Sequence, residues 1–422
     1  MSEWKEVKLS DVALLSTGFP FKGDLYSSEG VRVVRGDNVT IGELRWPKEK
    51  DKRWNEPFDR TAEFSLHEAD IVIGMDGSRV GYNRAQIKKT DLPLLIAQRV
   101  ACVRNNEKSL QSFLYYQIFS NQFTRYIRNI QTGSAIPHVS LKQIGDFKFH
   151  LPSIGEQRSI ASILSSLDDK IAVNRRICEN LEAQAQALFK HWFIDFAPFK
   201  NGKFVESKLG MIPEGWRVGT YSDIIQETIS GDWGKEKAEG NYTHKVACIR
   251  GCDFQDVKMG LRGKTPERFI LEKNYQSKHF ADKDVLVEIS GGTATVSTGR
   301  ICPVSQLLID KYEGDIVCTN FCRLVRPIKG YSSYLYYSWK YKYDHKVMFG
   351  YENGTSGIKN FSIKDFSSRE PLILPELSAL NEFENIIDHI HTQIQNCGSE
   401  SAKLATLRDT LLPKLMSGQI KV

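Results

Sequence analysis

The sequence of 422 residues lacks any apolar run long enough to span a membrane. Its opening residues, MSEWKEVKLS, are charged and are not expected to act as a secretory signal. The eight cysteines are scattered, which predicts free thiols in a reducing cytoplasm. Hydrophobic residues make up 41% and charged residues 26%, as is usual for soluble globular proteins. The formal net charge of +6 permits nucleic-acid binding without requiring it.

Most motifs that identify a catalytic chain are also missing. There is no G-x-x-x-x-G-K-[ST] phosphate loop and no G-x-G-x-x-G after a predicted strand. The Asn/Asp-Pro-Pro-aromatic signature of adenine methyltransferases is absent as well. Asp195 with Glu206-x-Lys208 loosely fits a metal-dependent nuclease, but the match lies in a Pro-, Gly- and Lys-containing linker where solvated charge is the simpler interpretation. The sequence therefore favours a binding role, with an independent nuclease or methyltransferase as an alternative.

Two cysteine pairs have spacings that a zinc site allows. They are Cys248-x3-Cys252 and Cys318-x3-Cys322, and four thiolates can close a tetrahedral site. Cys318 and Cys322 lie on a predicted strand, where a separation of four places both side chains on one face and suits a buried core. We expect core packing rather than metal binding, and no metal ligands are assigned.

The chain is predicted to be an internal duplication. VRVVRGDNV (31–39) and LHEADIVIGMDGSRVGYN (66–83) correspond to HKVACIRGCDF (244–254) and FADKDVLVEISGGTATVSTGR (280–300). LIAQRVACVRN (95–105) corresponds to IVCTNFCRLVRP (316–327). In both halves a Leu-Pro pair then precedes a long helical pattern. A repeat of half the chain is too long for a solenoid and indicates two copies of one domain.

Each half ends in a heptad seam, with steps of four and three residues. The first seam is Ile160, Leu164, Leu167, Ile171, Asn174, Cys178, Leu181, Ala185, Leu188 and Trp192. A shift of 223 residues gives the second, which is Phe383, Ile387, Ile390, Ile394, Cys397, Ser401, Leu404, Arg408, Leu411 and Leu415. Matched seams predict that the two helices pair as an antiparallel coiled coil rather than packing separately.

The predicted fold is α+β, with two α/β domains in a pseudo-two-fold arrangement, separated by this coiled coil. Prolines near the changes of pattern suggest four parts: a first domain at 1–152, a first helical region at 153–200, a second domain at 201–375 and a second helical region at 376–422. Asn174 interrupts its seam and is a candidate register pin or merely a wet position. An antiparallel partner offers it Ser401, Cys397 or Thr392. Arg408 and Gly398 are further weak points.

Basic, amide and hydroxyl side chains recur in matching loops of both halves. In LRWPKEKDKRWN (44–55) the basic residues lie beside and between Trp46 and Trp54, and the counterpart region carries Lys258, Arg262, Lys264 and Arg268. Such loops suit DNA, although a solvated hairpin explains the first equally well. The predicted DNA-binding residues are Arg45, Lys48, Lys50, Lys52, Arg53, Arg79, Ser134, His138, Arg262, Lys264, Arg300, Thr355, Ser356 and Lys359.

Over nearly its whole length the sequence resembles the specificity (S) subunits of type I restriction–modification enzymes. The resemblance is strongest in four segments: LPSIGEQRSIASILSSLDDKIAVNRR (151–176), LEAQAQALFKHWFIDF (181–196), GMIPEGWRV (210–218) and LRDTLLPKLMSGQI (407–420). The second half departs from the family pattern, since ELSALNEF lacks the Glu-Gln-Arg that follows the proline in the first half.

The resemblance implies that each domain is a target-recognition domain reading half of a bipartite double-stranded DNA site. It implies that the helices set the spacer and dock two methyltransferase (M) subunits, with restriction (R) subunits completing the enzyme. S-adenosylmethionine, ATP and magnesium would then belong to those partners, and this chain would carry no cofactor and no catalytic residues. The alternative is a non-catalytic, two-headed scaffold for protein partners.

Overall fold

The computed structural model describes residues 4–56, 60–132, 137–293, 295–354 and 359–422. The chain forms two compact units. The first is Met1–Asp169 with Ala405–Val422, and the second is Lys170–Leu404. Each unit takes a part of both long helices, so this division differs from the four parts suggested by the prolines, and the assignment of recognition domains stays a prediction.

The first unit combines short strands with helices. Its strands are β1 (Lys5–Lys8), β2 (Ala13–Thr17), β3 (Val31–Val34), β4 (Arg53–Trp54), β5 (Ile71–Gly74), β6 (Arg84–Gln86), β7 (Leu94–Ile96), β8 (Val100–Asn105) and β9 (Lys148–Leu151). Its helices are α1 (Leu9–Val12), α2 (Thr61–Phe64), α3 (Gln111–Ile118), α4 (Asn121–Ile130), α5 (Leu141–Gly145) and the start of α6 (Ile154–Phe189).

The second unit repeats this plan with additions. Its strands are β10 (Phe204–Ser207), β11 (Gly210–Pro213), β12 (Arg217–Thr220), β13 (Ile225–Ser230), β14 (Tyr242–Ile249), β15 (Glu267–Leu271), β16 (Val285–Glu288), β17 (Ser290–Gly291), β18 (Ile301–Pro303), β19 (Ile316–Cys318), β20 (Cys322–Pro327), β21 (Glu352–Asn353), β22 (Lys359–Phe361) and β23 (Pro371–Leu374). Its helices are α7 (Phe254–Lys258), α8 (Glu272–Lys278), α9 (Gln306–Asp310), α10 (Ser332–Asp344), α11 (Ile363–Arg369) and most of α12 (Leu377–Met416).

Strand order shows the duplication directly. The four-stranded sheets have the orders β2-β8-β5-β6 and β13-β20-β16-β18, and the three-stranded sheets have the orders β4-β3-β7 and β15-β14-β19. In both three-stranded sheets one pair is parallel, β3 with β7 and β14 with β19. The terminal strands also pair alike, β1 with β9 and β12 with β23. The predicted duplication of an α+β domain is therefore confirmed.

One ion pair occupies the same place in both units. Arg104 in β8 forms two hydrogen bonds with Asp70, at 2.7 and 2.6 Å, and Arg326 in β20 forms two with Asp284, at 3.0 Å each. Both aspartates are almost fully buried just before the central strand. A bidentate arginine compensates a buried carboxylate, so each pair fixes the start of that strand against its neighbour.

The two long helices begin after prolines and run antiparallel. Ser153 and Glu156 form a capping box at the start of α6, in which the Ser153 N–H donates to Glu156 at 2.9 Å and the Glu156 N–H donates to Ser153 at 3.3 Å. In the second unit Asn174 contacts Ser401, and Cys178, one turn later in α6, contacts Ile394, almost two turns earlier in α12. The predicted antiparallel pairing is confirmed.

Both seams face the interior. In the first unit Ile160, Leu164 and Leu415 belong to one core with α3 and α4. In the second unit Ala185, Phe383 and Ile387 belong to a core with α10. The other seam positions are buried or half-buried: Leu167, Ile171, Asn174, Cys178, Leu181, Leu188, Trp192, Ile390, Ile394, Cys397, Ser401, Leu404, Arg408 and Leu411. Burial of this stripe is the main contribution to the stability of helices this long.

Candidate nucleic-acid interface

Loops of the first unit enclose a cleft of about 830 Å³. The Gly77 N–H donates to the Pro137 carbonyl at 2.9 Å, and Asp76 forms a β-bridge with His138, so the loops after β5 and after α4 meet. The loop before β4 reaches the cleft through Lys52. The structure thus brings together three loops that the sequence singled out separately.

The lining of the cleft mixes aromatic, cationic and amide groups. Its aromatic members are Phe19, Phe21 and Tyr26, its cations are Arg35, Lys52, Arg79 and Arg99, its carboxylates are Asp37 and Asp76, and its amides are Asn83 and Gln98. Arg35 pairs with Asp37 at 3.4 Å and Arg99 with Asp76 at 3.6 Å, whereas Arg79 and Lys52 have no ion pair among the described residues. Cations that bind phosphate beside aromatic faces that stack on bases suit nucleic acid.

The loop 44–55 holds its basic side chains in different settings. Arg45 and Lys48 are exposed, and Arg45 pairs with Glu43 at 2.7 Å. Lys50 and Lys52 are half-buried. Arg53 shares Asp51 with Arg32, and hydrogen bonding from Arg32 above all lowers the pKa of that carboxyl. Lys48, Lys50 and Lys52 have no ion pair among the described residues, so their charges are the least compensated of this loop.

The loop after α4 is described only in part. His138 is exposed, and its Nε2 lies 3.1 Å from the Thr132 hydroxyl. Ser134, also predicted to bind DNA, lies outside the described residues. The contact of His138 with the loop after β5 places it at the rim of the cleft.

The matching loops of the second unit also meet, but their cations are already paired. The Phe361 N–H donates to the Ile289 carbonyl at 2.8 Å. Arg300 forms a bidentate pair with the nearly buried Glu288, at 2.7 and 2.5 Å, and Lys359 pairs with Glu352 at 2.8 Å. Thr355 and Ser356 lie outside the described residues. Arg300 and Lys359 thus position loops, and their contact with DNA stays a prediction.

The counterpart of the loop 44–55 divides into exposed and enclosed cations. Arg262 and Lys264 are exposed, and Arg262 lies over the Tyr312 ring at 4.6 Å. Lys258 lies instead in α7 over the Tyr336 ring, where burial lowers its pKa. Arg268 is 9% exposed and stacks on Trp233 at 4.0 Å. The expectation that all four suit a DNA-facing loop is wrong for Lys258 and Arg268.

Two prominent side chains were missed from the sequence. Arg99 and Phe321 stand at the turns after β7 and β19, and neither was assigned a role. LIAQRV and IVCTNF lie in repeated segments, and the turns that end in Arg99 and Phe321 are both three residues long, but the side chains at their tips differ in chemistry, so the sequence alone does not mark the two tips as equivalent. Strand pairing supplies that equivalence, since Val100 faces Gly74 where Cys322 faces Glu288.

The cysteines of the second unit are mostly core residues. Cys248, Cys318 and Cys322 are buried, whereas Cys252 is exposed. Burial raises the pKa of Cys248 and of Cys322 to about 12, which keeps them as thiols. Cys318 ends β19 and Cys322 begins β20, so the prediction that they share one strand is wrong. A turn separates the two residues. Both thiols are buried in the same core, but each comes from a different strand.

Asn174 forms a polar contact inside the apolar seam. Its amide nitrogen donates to Glu400 at 2.8 Å, Ser401 at 3.3 Å and the Cys397 carbonyl at 3.4 Å. Two of the three predicted partners are thus in contact. The Asn174 amide oxygen is buried and has no hydrogen-bond partner in the described part of the chain. This amide favours one register of the two helices, because sliding one helix along the other would separate the Asn174 N–H groups from the oxygens that accept their hydrogen bonds.

Gly398 marks a backbone-to-backbone contact between α12 and the loop after α7. A Cβ atom at Gly398 would lie 2.3 Å from the carbonyl carbon of Gly260. Lys311 reinforces the contact with hydrogen bonds to the Gly260 carbonyl at 2.5 Å and to Gln395 at 2.7 Å. Burial lowers the pKa of Lys311 to about 8. Gly398, a weak point for an isolated helix, is therefore required by packing.

Tyrosine-rich helices fasten each domain to the long helices. In the first unit the Tyr116 hydroxyl donates to Asp168 at 2.7 Å, and Arg408 pairs with the same carboxylate at 2.6 Å. In the second unit the Tyr337 hydroxyl lies 3.0 Å from His391 Nε2 and 3.2 Å from Glu182. The charge of Arg408, at its seam position, is therefore neutralised by the carboxylate of Asp168 on the facing helix.

Known proteins share this arrangement. The family model for the type I restriction modification DNA specificity domain matches residues 1–183. The MjaIX specificity subunit of Methanocaldococcus jannaschii is 27% identical over 370 residues, covering 85% of this chain and 81% of its own. The HindI specificity subunit of Haemophilus influenzae is 23% identical over 484 residues and covers the whole of both chains. The crystal structure of a type I S subunit from M. genitalium has a TM-score of 0.53 at 15% identity, covering 98% of this chain and 96% of its own.

The fold of this chain is similar to that of a solved type I S subunit, and its first 183 residues match a DNA specificity domain. Over most of its length the chain is similar to specificity subunits of type I restriction enzymes. The resemblance predicted from the sequence is confirmed. Among the described residues, no helix is long and apolar enough to cross a membrane.

Proposed function

We propose that the chain reads a bipartite site in double-stranded DNA as the non-catalytic specificity subunit of a type I restriction–modification complex. Each domain reads one half-site, and the chain docks two methyltransferase subunits and the restriction subunits. S-adenosylmethionine, ATP and magnesium are bound by those partner subunits and not by this chain. The proposed site of action is the cytoplasm, where the DNA and the partner subunits meet.

The observation that carries this proposal is one scaffold built twice with different loops. Strand order and the buried Asp–Arg pairs agree in the two units. The loops differ, since Lys52 and Arg79 in the aromatic cleft of the first unit have no ion pair within the described part of the chain, whereas the second unit pairs Arg300 and Lys359 with carboxylates. Two domains with the same strand scaffold but different loop side chains suit the recognition of two different half-sites.

The paired helices suit a spacing role. A helix of 36 or 40 residues extends roughly 54 to 60 Å at 1.5 Å per residue, which is of the same order as one DNA turn of about 34 Å. We therefore expect half-sites about one turn apart. Deleting one heptad from both helices should shorten the accepted spacer, and an unchanged spacer would refute the spacing role.

The decisive experiment maps methylated adenines in a genome that expresses this chain with its methyltransferase partner. The expected result is one bipartite, asymmetric motif that disappears when the chain is omitted. Binding of the purified complex to that motif should weaken steeply as salt rises, because phosphate contacts release counterions. Salt-insensitive binding would instead favour the two-headed protein scaffold. Cleavage or methyl transfer by the purified chain alone would establish the independent enzyme.

A further inference from the structure

The turns after β7 and after β19 are clamped in the same way. The Phe19 N–H donates to the Ile96 carbonyl at 3.0 Å, and the Asp232 N–H donates to the Cys318 carbonyl at 2.8 Å. The glycine before each donor touches the turn's backbone: a Cβ at Gly18 or at Gly231 would lie 2.0 Å from a carbonyl oxygen. Both turns are therefore rigid supports for whatever stands at their tips.

Arg99 and Phe321 occupy corresponding tips. The Arg99 carbonyl accepts from the Met75 N–H at 3.0 Å, and the Phe321 carbonyl accepts from the Ile289 N–H at 2.9 Å. Each donor is the first residue after a central strand, β5 or β16. The turns differ in detail, since only Arg99 has a positive φ, +90°.

Both tip side chains are mostly exposed, and the one ion pair described for them is that of Arg99 with Asp76 at 3.6 Å. The Arg99 side chain is 67% exposed and its backbone lies in a region that non-glycine residues avoid, a form of strain found mainly at functional sites. Phe321 is 64% exposed, the highest value among the large exposed apolar side chains described. Both project from rigid supports, and Arg99 lines the cleft already described.

We propose that these tips read one base each, Arg99 a guanine in the first half-site and Phe321 the methyl group of a thymine in the second. The inference rests on the proposed function. In the major groove guanine presents two acceptors that an arginine contacts together, and the only apolar group there is the thymine methyl. Equivalent tips on equivalent scaffolds reach the same groove, so the change from arginine to phenylalanine changes the base that is read.

The test uses the complex assembled with its methyltransferase partner and duplexes carrying its mapped site. Replacing each thymine of the second half-site by uracil, one at a time, should weaken wild-type binding roughly threefold or more at one position. Phe321→Ala should bind more weakly and lose this response, whereas Phe321→Leu should keep part of it. Leu307→Ala, an exposed apolar position on α9, should respond like the wild type. Melting curves of each variant complex establish folding.

The first half-site is tested with 7-deazaguanine, which removes one of the two acceptors. One position should weaken wild-type binding roughly fivefold or more, and Arg99→Ala should be insensitive to it. If Phe321→Ala or Arg99→Ala keeps the full wild-type response, the inference fails while the proposed function stands. If no thymine in the second half-site responds, the Phe321 assignment fails. If the wild-type complex has no site-specific binding, the proposed function and the inference fail together.

Discussion

The amide of Asn174 donates to the carboxylate of Glu400 at 2.8 Å, from one long helix to the other. This hydrogen bond is the main cause that lowers the pKa of Glu400, with Lys170 at 3.4 Å as a further partner. The amide's own oxygen remains buried without a partner among the described residues. The pair therefore favours one register of the helices at some loss of stability.

Asn174→Ile should stabilise the helix pair by about 1 kcal/mol, because it replaces an unsatisfied buried oxygen with an apolar seam residue. Chemical unfolding of the full chain measures this, with Asn180→Ile on the exposed face of α6 as the matched control. A loss of stability would mean that the hydrogen bonds donated by the two N–H groups of the Asn174 amide outweigh the buried oxygen. If spacer selection stays as strict as in the wild type, Asn174 does not pin the register.

Gly398→Ala should destabilise the second unit by about 1–3 kcal/mol, since the new methyl group overlaps the backbone of Gly260. Helix propensity alone predicts the opposite, a gain of about 1 kcal/mol. The sign of the change in unfolding free energy thus separates packing from propensity. Gly350→Ala is the control, because a Cβ there meets no atom within 4 Å.

Stability should fall on acidification in part through His391. Burial lowers its pKa to about 4 from an unfolded value of about 6.5. The unfolded chain therefore binds a proton first as pH falls, so this contribution is complete above pH 6.5 and is lost between about pH 6.5 and 4. His391→Gln should flatten the pH dependence of unfolding in that window, by up to about 1.4 kcal/mol per pH unit. An unchanged slope, matching that of the exposed-site variant His150→Gln, would assign the effect to other groups.

Arg79→Ala should relax selectivity in the first half-site only, at about 1–3 kcal/mol, if this arginine contacts a base edge. Lys48→Ala, on an exposed loop, should weaken binding to all sequences alike and reduce the salt slope by about one. Binding to duplexes mutated in one half-site at a time, at several salt concentrations, distinguishes the two. A uniform loss for Arg79→Ala would reduce it to a phosphate contact.

The sequence predicted periodic features well. The steps of four and three placed residues such as Ile160 and Phe383 inside, and the shift between the seams identified the partner helix, because helical burial follows from local spacing. Two of the three candidate partners of Asn174 were also correct. These features depend on spacing along the chain, which the sequence contains in full.

Features set by contacts distant in sequence were predicted poorly. Lys258 and Arg268 look like loop cations, but packing against Tyr336 and Trp233 encloses them. Glu288 neutralises Arg300 from the neighbouring strand, a pairing that depends on sheet register. Cys318 and Cys322 fall on two strands because a turn interrupts an otherwise apolar run. Charge and hydropathy alone do not reveal which side chains the folded chain brings together.

The contact at Gly398 also limits how this protein can be engineered. A foreign second domain grafted between the helices must also approach Gly398 closely with backbone alone, as the chain does at Gly260. Otherwise the sequence of α12 must be exchanged together with that domain. The exchangeable piece is therefore larger than the loops that read DNA. It includes the loop after α7, Lys311 and the facing turn of α12, and a chimaera that divides this set should misfold even if both of its parents are stable.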